Sequence, residues 1–151
     1  LNPMVVLDTN VLSALMRDPP DRAVVAWLDG QPPESVWTTS ITVFEVRFGL
    51  ARMASGRRRS GLEHAFEALI RDDLEGRVLG LDSEAAEQAA RLAALREAAG
   101  RPVELRDTLL AGIALVRGCA IGTRNRRHFA DLVDLDRRVV AIDPWEGAAS
   151  A

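Results

Sequence analysis

Three carboxylates in this chain, Asp8, Glu45 and Asp107, fall beside apolar segments rather than on polar faces. Asp8 ends the apolar run Met4-Val5-Val6-Leu7 and is followed at once by Thr9, Asn10 and a helical pattern. Glu45 lies with Ile41 and Phe48 on one stripe if its helix begins near Ser40, and its neighbours Ile41 and Gly49 offer no cation. Asp107 opens a helix whose Leu109, Leu110, Ala111 and Ile113 mark it as buried. Each acid also has an ordinary role open to it. Asp8 can cap a helix starting near Val11, Thr42 to Glu45 matches a capping box, and Asp107 suits the dipole of a first helical turn. Brought together, each like-charged pair at ~4 Å would repel by ~4 kcal/mol at an effective dielectric near 20. Such a cluster persists only around a cation. All-oxygen ligands favour Mg²⁺ or Mn²⁺ over zinc, and Mg²⁺ keeps waters that can be activated for attack on phosphate.

The topology decides whether the acids meet. Four consecutive apolar residues before Asp8 read as a strand buried on both faces, as in a parallel sheet. Such a sheet presents its ligand site at the carboxyl ends of its strands. Further strands are expected over 35–39, 78–81, 119–122 and 139–142. Helices are expected at 11–16, after an Asp21 cap, over 41–53 and 62–74, from a Ser83 cap to Gly100, and over 105–117. Alternating strands and helices imply right-handed crossovers and a mainly parallel, five-stranded sheet flanked by helices. This is one α/β domain over residues 1–146, with 147–151 as a frayed tail. Asp8 ends the first strand, Glu45 follows the second, and the Asp107 helix immediately precedes the fourth.

Composition removes several alternatives. All 19 basic residues are arginine, so no P-loop lysine, Schiff base or lysine partner of an aspartyl-phosphate exists. A phosphatase with an aspartyl nucleophile also needs a second acid two residues on, where Asn10 stands, and a phosphoacceptor receiver domain fails for the same missing lysine. The net charge of -3 argues against a general polyanion binder, though not against an enzyme whose acidic site lowers the total. Cys119 is the single cysteine, which excludes an internal disulfide and suits a reducing cytoplasm. The sequence shows no signal-peptide pattern and no apolar run near the ~18 residues a membrane span needs. Arg124, Arg126 and Arg127 crowd a loop expected to border the acids, where they would either hold phosphates or form an exposed turn.

Taken in order, four segments resemble the PIN domain, and more narrowly the VapC-type toxins of bacterial toxin–antitoxin pairs and their FitB-like relatives. They are Leu7-Asp8-Thr9-Asn10, Thr39-Ser40 with Glu45, Arg106-Asp107 ahead of Leu109-Leu110-Ala111, and Thr123-Arg124-Asn125 with Phe129. The resemblance implies a Mg²⁺-dependent (or Mn²⁺-dependent) endoribonuclease, usually a homodimer, held inactive by a small antitoxin. Asp8, Glu45 and Asp107 fall on three of the family's acidic positions, as metal ligands and catalytic residues; Thr9, Asn10, Arg124, Arg126 and Arg127 are expected to bind RNA. Many members carry a fourth acid in the loop after the fourth strand, where this chain offers Asn125 and His128, with Asp131 further on. Asn125 is expected to orient a water there through its neutral side-chain oxygen. The competing reading is a PIN-like scaffold that partners a DNA-binding antitoxin and cleaves little. The apolar stripes on 41–53 and 62–74 exceed what a small sheet can cover, so that hairpin is expected to reach an interface, with Phe66 as the residue to test.

Overall fold

The computed structural model describes residues 4–149 and contains the five expected strands: β1 (Val5–Leu7), β2 (Val36–Thr39), β3 (Val78–Leu79), β4 (Ala120–Gly122) and β5 (Ala141–Ile142). They form one sheet in the order β3-β2-β1-β4-β5, and every neighbouring pair is parallel. β1 is central and all three of its residues are buried, which is why its sequence is apolar without alternation. Its side chains divide between two cores. Val5 and Leu7 join Val11, Leu12, Val46, Leu50 and Phe66, whereas Val6 joins Leu92, Leu110, Ile113, Ile121 and Phe129 across the sheet. Burying each such side chain contributes ~1.5–3 kcal/mol.

Helices cover both faces: α1 (Thr9–Met16), α2 (Arg22–Asp29), α3 (Ser40–Arg52), α4 (Arg57–Ala68), α5 (Ser83–Ala98), α6 (Leu105–Arg117), α7 (Ala130–Leu135) and α8 (Pro144–Ala149). A π-helical turn, Leu69–Asp73, prolongs α4. α5 and α6 pack closely because residue 112 is glycine; a Cβ there would lie 2.6 Å from the Ala85 carbonyl oxygen and 2.8 Å from the Ala89 Cβ. Among the described residues, no helix is long and apolar enough to cross a membrane.

Several expectations shift. α2 is capped by Asp21 as expected, but the cap of α5 is Asp82 rather than Ser83. α7 and α8 occupy stretches expected to lack helices, and α8 extends through residues 147–149 of the expected tail. Residues 150 and 151 of that tail lie outside the described residues. The larger correction concerns α3. Thr39 caps it by accepting a hydrogen bond from the Thr42 amide at 3.2 Å, so the helix starts at Ser40 and the Thr42–Glu45 capping box does not form. Its buried face is then Thr42, Val46 and Leu50, one turn apart, while Phe44 and Phe48 are 56% and 44% exposed. Phe66, by contrast, is 1% exposed and belongs to the core.

Candidate functional site

Asp8 does two things at once. Its Oδ1 accepts the Thr9 amide at 2.8 Å and so caps α1; its Oδ2 accepts the Thr123 hydroxyl at 2.9 Å. Thr123 follows β4 directly and is fully buried, so the sheet's register delivers it beside Asp8. Burial raises the Asp8 pKa, and these two hydrogen bonds work against that rise.

Glu45, freed from any capping duty, comes in from α3. Burial raises its pKa first and the negative charge of Asp8 raises it further, while Arg106 from α6 opposes both. The Arg106 Nη1 lies 3.6 Å from the Glu45 Oε2, a cation from another helix where the i−4 and i+4 neighbours on α3, Ile41 and Gly49, offer none. Asp107, in the first turn of α6, is pushed up to about 6, first by burial and then by Asp8; His128, 3.9 Å away, opposes the rise. Asp8 is thus the common neighbour of the other two acids. Glu104 joins them: it caps α6 at the Arg106 amide, its charge raises both Glu45 and Asp107, and it borders the same cleft. That cleft encloses about 440 Å³ between Glu45, Glu104, Arg106, Asp107 and His128.

The donor set suits a hard cation. Every acid offers oxygen, and the Thr9 hydroxyl is buried without a hydrogen-bond partner, though close enough to Glu45 to ease its charge. Among the described residues no three acids, cysteines or histidines form a ready-made metal cage.

The expected substrate residues separate into distinct groups. Asn10 spends its side chain on the loop after β4, donating to the Thr123 hydroxyl at 3.2 Å and accepting the Arg124 amide at 3.0 Å. Arg124 lies over the Trp145 ring, 4.7 Å from its centroid, and Arg126 pairs with Glu146 at 2.6 Å. Both partners belong to α8, a helix the sequence reading did not foresee, so two of the three loop arginines are already engaged. Arg127 is exposed. Asn125 donates its backbone amide to Thr123 at 3.1 Å, and its exposed side chain makes no hydrogen bond among the described residues. Between Asn125 and His128, it is His128 that borders the acidic cleft.

Sequence reasoning passed over Arg96, the largest fully buried side chain among the described residues. It grips both carboxylate oxygens of Asp131, at 2.8 and 2.9 Å, and donates to the Thr108 hydroxyl and to the carbonyls of Glu104 and His128. One side chain thereby clamps the two segments that wall the cleft. Asp131 is committed to this clamp rather than offered to the acid cluster. The signal was present: Ala85, Ala89, Leu92 and Arg96 form one buried stripe on α5, and an arginine on such a stripe needs a buried acid.

A central Asp8, acids converging from three crossovers and the 3-2-1-4-5 parallel order match a known class. The chain belongs to the PIN domain family, whose description matches residues 5–135. Within it, the chain is 40% identical over 145 residues to a VapC ribonuclease of Sinorhizobium fredii, a match covering 96% of this chain and 100% of that one. It is 32% identical over 144 residues to Toxin FitB of Neisseria gonorrhoeae, covering 94% and 99%. The solved structure of FitAB bound to an IR36 DNA fragment contains a similar chain, with a TM-score of 0.80 at 32% identity, covering 94% of this chain and 96% of that one.

Proposed function

We infer that this protein is the toxin of a toxin–antitoxin pair and a Mg²⁺- or Mn²⁺-dependent endoribonuclease of the cytoplasm. The observation that carries the reading is the gathering of Asp8, Glu45 and Asp107 at the carboxyl edge of the sheet, where burial raises all three carboxyls and the charge of Asp8 raises the other two further. The names of its relatives, a VapC ribonuclease and Toxin FitB, agree with it. The three acids would hold the ion, which when bound supplies positive charge at the scissile phosphate and a more acidic water. The chain's own residues do the rest. Thr123 fixes the orientation of Asp8, Arg106 neutralises Glu45 and sits beside the incoming phosphate, and the free Thr9 hydroxyl can donate to it. Asn125 is the neutral oxygen proposed for the fourth position.

Incubation of the purified chain with RNA and single-stranded DNA, with and without Mg²⁺, tests this. RNA should be cut only with the ion present, and Asp8→Asn or Asp107→Asn should remove most of the activity, by ~10²-fold or more, because each acid both positions and neutralises. Cleavage that survives chelation, or either substitution, would refute the assignment. The absence of a ready-made cage keeps a second reading in play, a scaffold that binds an antitoxin and cleaves little. That reading requires wild-type protein inert toward RNA at any Mg²⁺ concentration.

The homodimer contact is proposed on the α3 part of the hairpin expected to reach an interface, with Phe44 and Phe48 in place of Phe66 as the residues to test. Phe66 lies in the core, but Phe44 and Phe48 are stacked with centroids 5.9 Å apart on the exposed side of α3. A stacked, solvent-facing aromatic pair is costly unless covered. Phe44→Asp with Phe48→Asp should convert a dimer to a monomer in sedimentation while leaving the melting temperature within a few degrees. Phe66→Asp should instead unfold the chain. A monomeric wild type, or a doubly substituted dimer, contradicts the placement.

A further inference from the structure

A second hollow shares Glu45 with the cleft. It begins at Thr9 and Glu45 and runs past Ser13, Gly49 and Arg58. It continues into a wider hollow of about 670 Å³ that shares Met16, Arg17, Arg58 and Leu62 and ends near Arg57 and Asp18. Thr9 and Ser13 lie one turn apart on the same face of α1 and Arg17 is its C-cap, so the path runs about the length of that helix, ~12 Å. Acids mark only its two ends, Glu45 within and Asp18 without.

Its arginines are available in a way that most others in this chain are not. Arg59 is held by Glu63 at 2.6 Å and by the Met53 carbonyl, and Arg47, Arg96, Arg106 and Arg126 all have acidic partners. Arg57 and Arg58 have none among the described residues, and Arg17 has only Asp21 at 3.9 Å. Partly buried Leu15, Leu62 and Ala65 and the core side chains Met16, Val46 and Leu50 also line it, so what favours a polyanion here is the guanidinium groups without close acidic partners.

Two glycines point the same way. Gly49 sits inside α3 and Gly61 inside α4, where glycine is the poorest helix former apart from proline. Neither has a positive φ, and a Cβ added to either would meet nothing within 4 Å. Neither backbone conformation nor packing requires them. Both line the groove, and the physical effect of each is to keep it wide.

We propose that the groove between α1, α3 and α4 seats the single-stranded polynucleotide on one side of the scissile bond, with Arg17 and Arg58 pairing with its backbone phosphates and the Ser13 hydroxyl donating to them. The proposal rests on the nuclease reading and adds where the strand runs. Guanidinium groups bind phosphate oxygens through paired N–H donors, and such contacts read charge rather than base.

The test measures binding separately from cleavage. A labelled oligouridylate and the matching oligodeoxyribonucleotide are titrated by fluorescence anisotropy, in chelator, against wild type, Arg17→Ala/Arg58→Ala and Gly49→Leu. The double variant should lose roughly tenfold in affinity, and its salt slope should fall by ~0.7 for each lost phosphate contact. Gly49→Leu fills the groove without touching a charge, so affinity should fall while the salt slope stays and the melting temperature holds or rises. Stronger binding of the oligouridylate than of its deoxy counterpart assigns the groove to RNA, and equal binding assigns it to any single strand. Wild-type affinity in both variants overturns the proposal, as does a wild type that binds neither probe, even if Mg²⁺-dependent cleavage stands. Variants that bind the probes normally but no longer bind the cognate antitoxin give the groove to the protein partner and also overturn it.

Discussion

Replacing Arg96 by alanine should lower the melting temperature by roughly 10 °C, the largest stability effect expected for any charged residue in this protein. The guanidinium is 2% exposed and Asp131 is 15% exposed, so the pair lies almost wholly out of water. Breaking a buried pair by deleting one partner costs ~3–5 kcal/mol, because the other charge is left without compensation. In a domain of this size each kcal/mol moves the midpoint by ~2–4 °C. Thr108 and the carbonyls of Glu104 and His128 lose their donor as well, so the walls of the cleft loosen together. Arg96→Leu with Asp131→Leu should recover much of the loss, since apolar replacements of a buried pair are often neutral or better. Thermal denaturation by circular dichroism decides the point. A drop of only a degree or two for Arg96→Ala would mean that water reaches the pair and that the clamp is not structural.

Asp107→Asn should stabilise the metal-free protein at pH 8 while removing its activity. The Asp107 carboxyl rises from 3.8 to about 6 in the folded chain. Below the lower value it is protonated in both folded and unfolded states, and nothing is lost. As the pH rises toward 6 the unfolded chain releases its proton first, so stability falls through that window and stays lower above it. The asparagine cannot ionise and escapes that penalty, on the order of 2 kcal/mol. Its midpoint should lie ~4–8 °C above wild type at pH 8 and match it at pH 4. Mg²⁺ should raise the wild-type midpoint as a ligand that binds only the folded state, and should raise the variant's far less. A variant that melts below wild type at pH 8, or a wild type whose stability is flat between pH 4 and 7, would remove Asp107 from the strained cluster.

What the sequence disclosed depended on whether a residue's role was local. The uninterrupted apolar run of β1 signalled a buried parallel strand, and Asp8 at its end followed from the general geometry of such sheets. The helix over 105–117 was legible to the residue, because Glu104 caps it and Gly118 ends it in a left-handed conformation. The face of α3 was not. Helical spacing put Phe48 on one stripe with Ile41 and Glu45, but the Thr39 cap sets a phase in which smaller Thr42, Val46 and Leu50 turn inward. Arg96 was missed because its partners are 8 to 35 residues away and no local pattern names them. The partners of two loop arginines were hidden for the same reason. Trp145 and Glu146 claim Arg124 and Arg126 from a helix that a six-residue segment opening on proline scarcely announces.

The central place of β1 bears on how the protein comes into being. Val5 pairs with Val36 on one side and with Ala120 on the other, so the first strand made is completed by one of the last. Pairings between segments so distant in the chain are slow to form, since the loop must close before any contact rewards it. Asp8 receives its second hydrogen bond only from Thr123, and Asp107 reaches it only when α6 docks. A chain made only as far as α6 therefore carries all three acids but not the Thr123 that holds Asp8. The proposed site is complete only once β4 has paired beside β1.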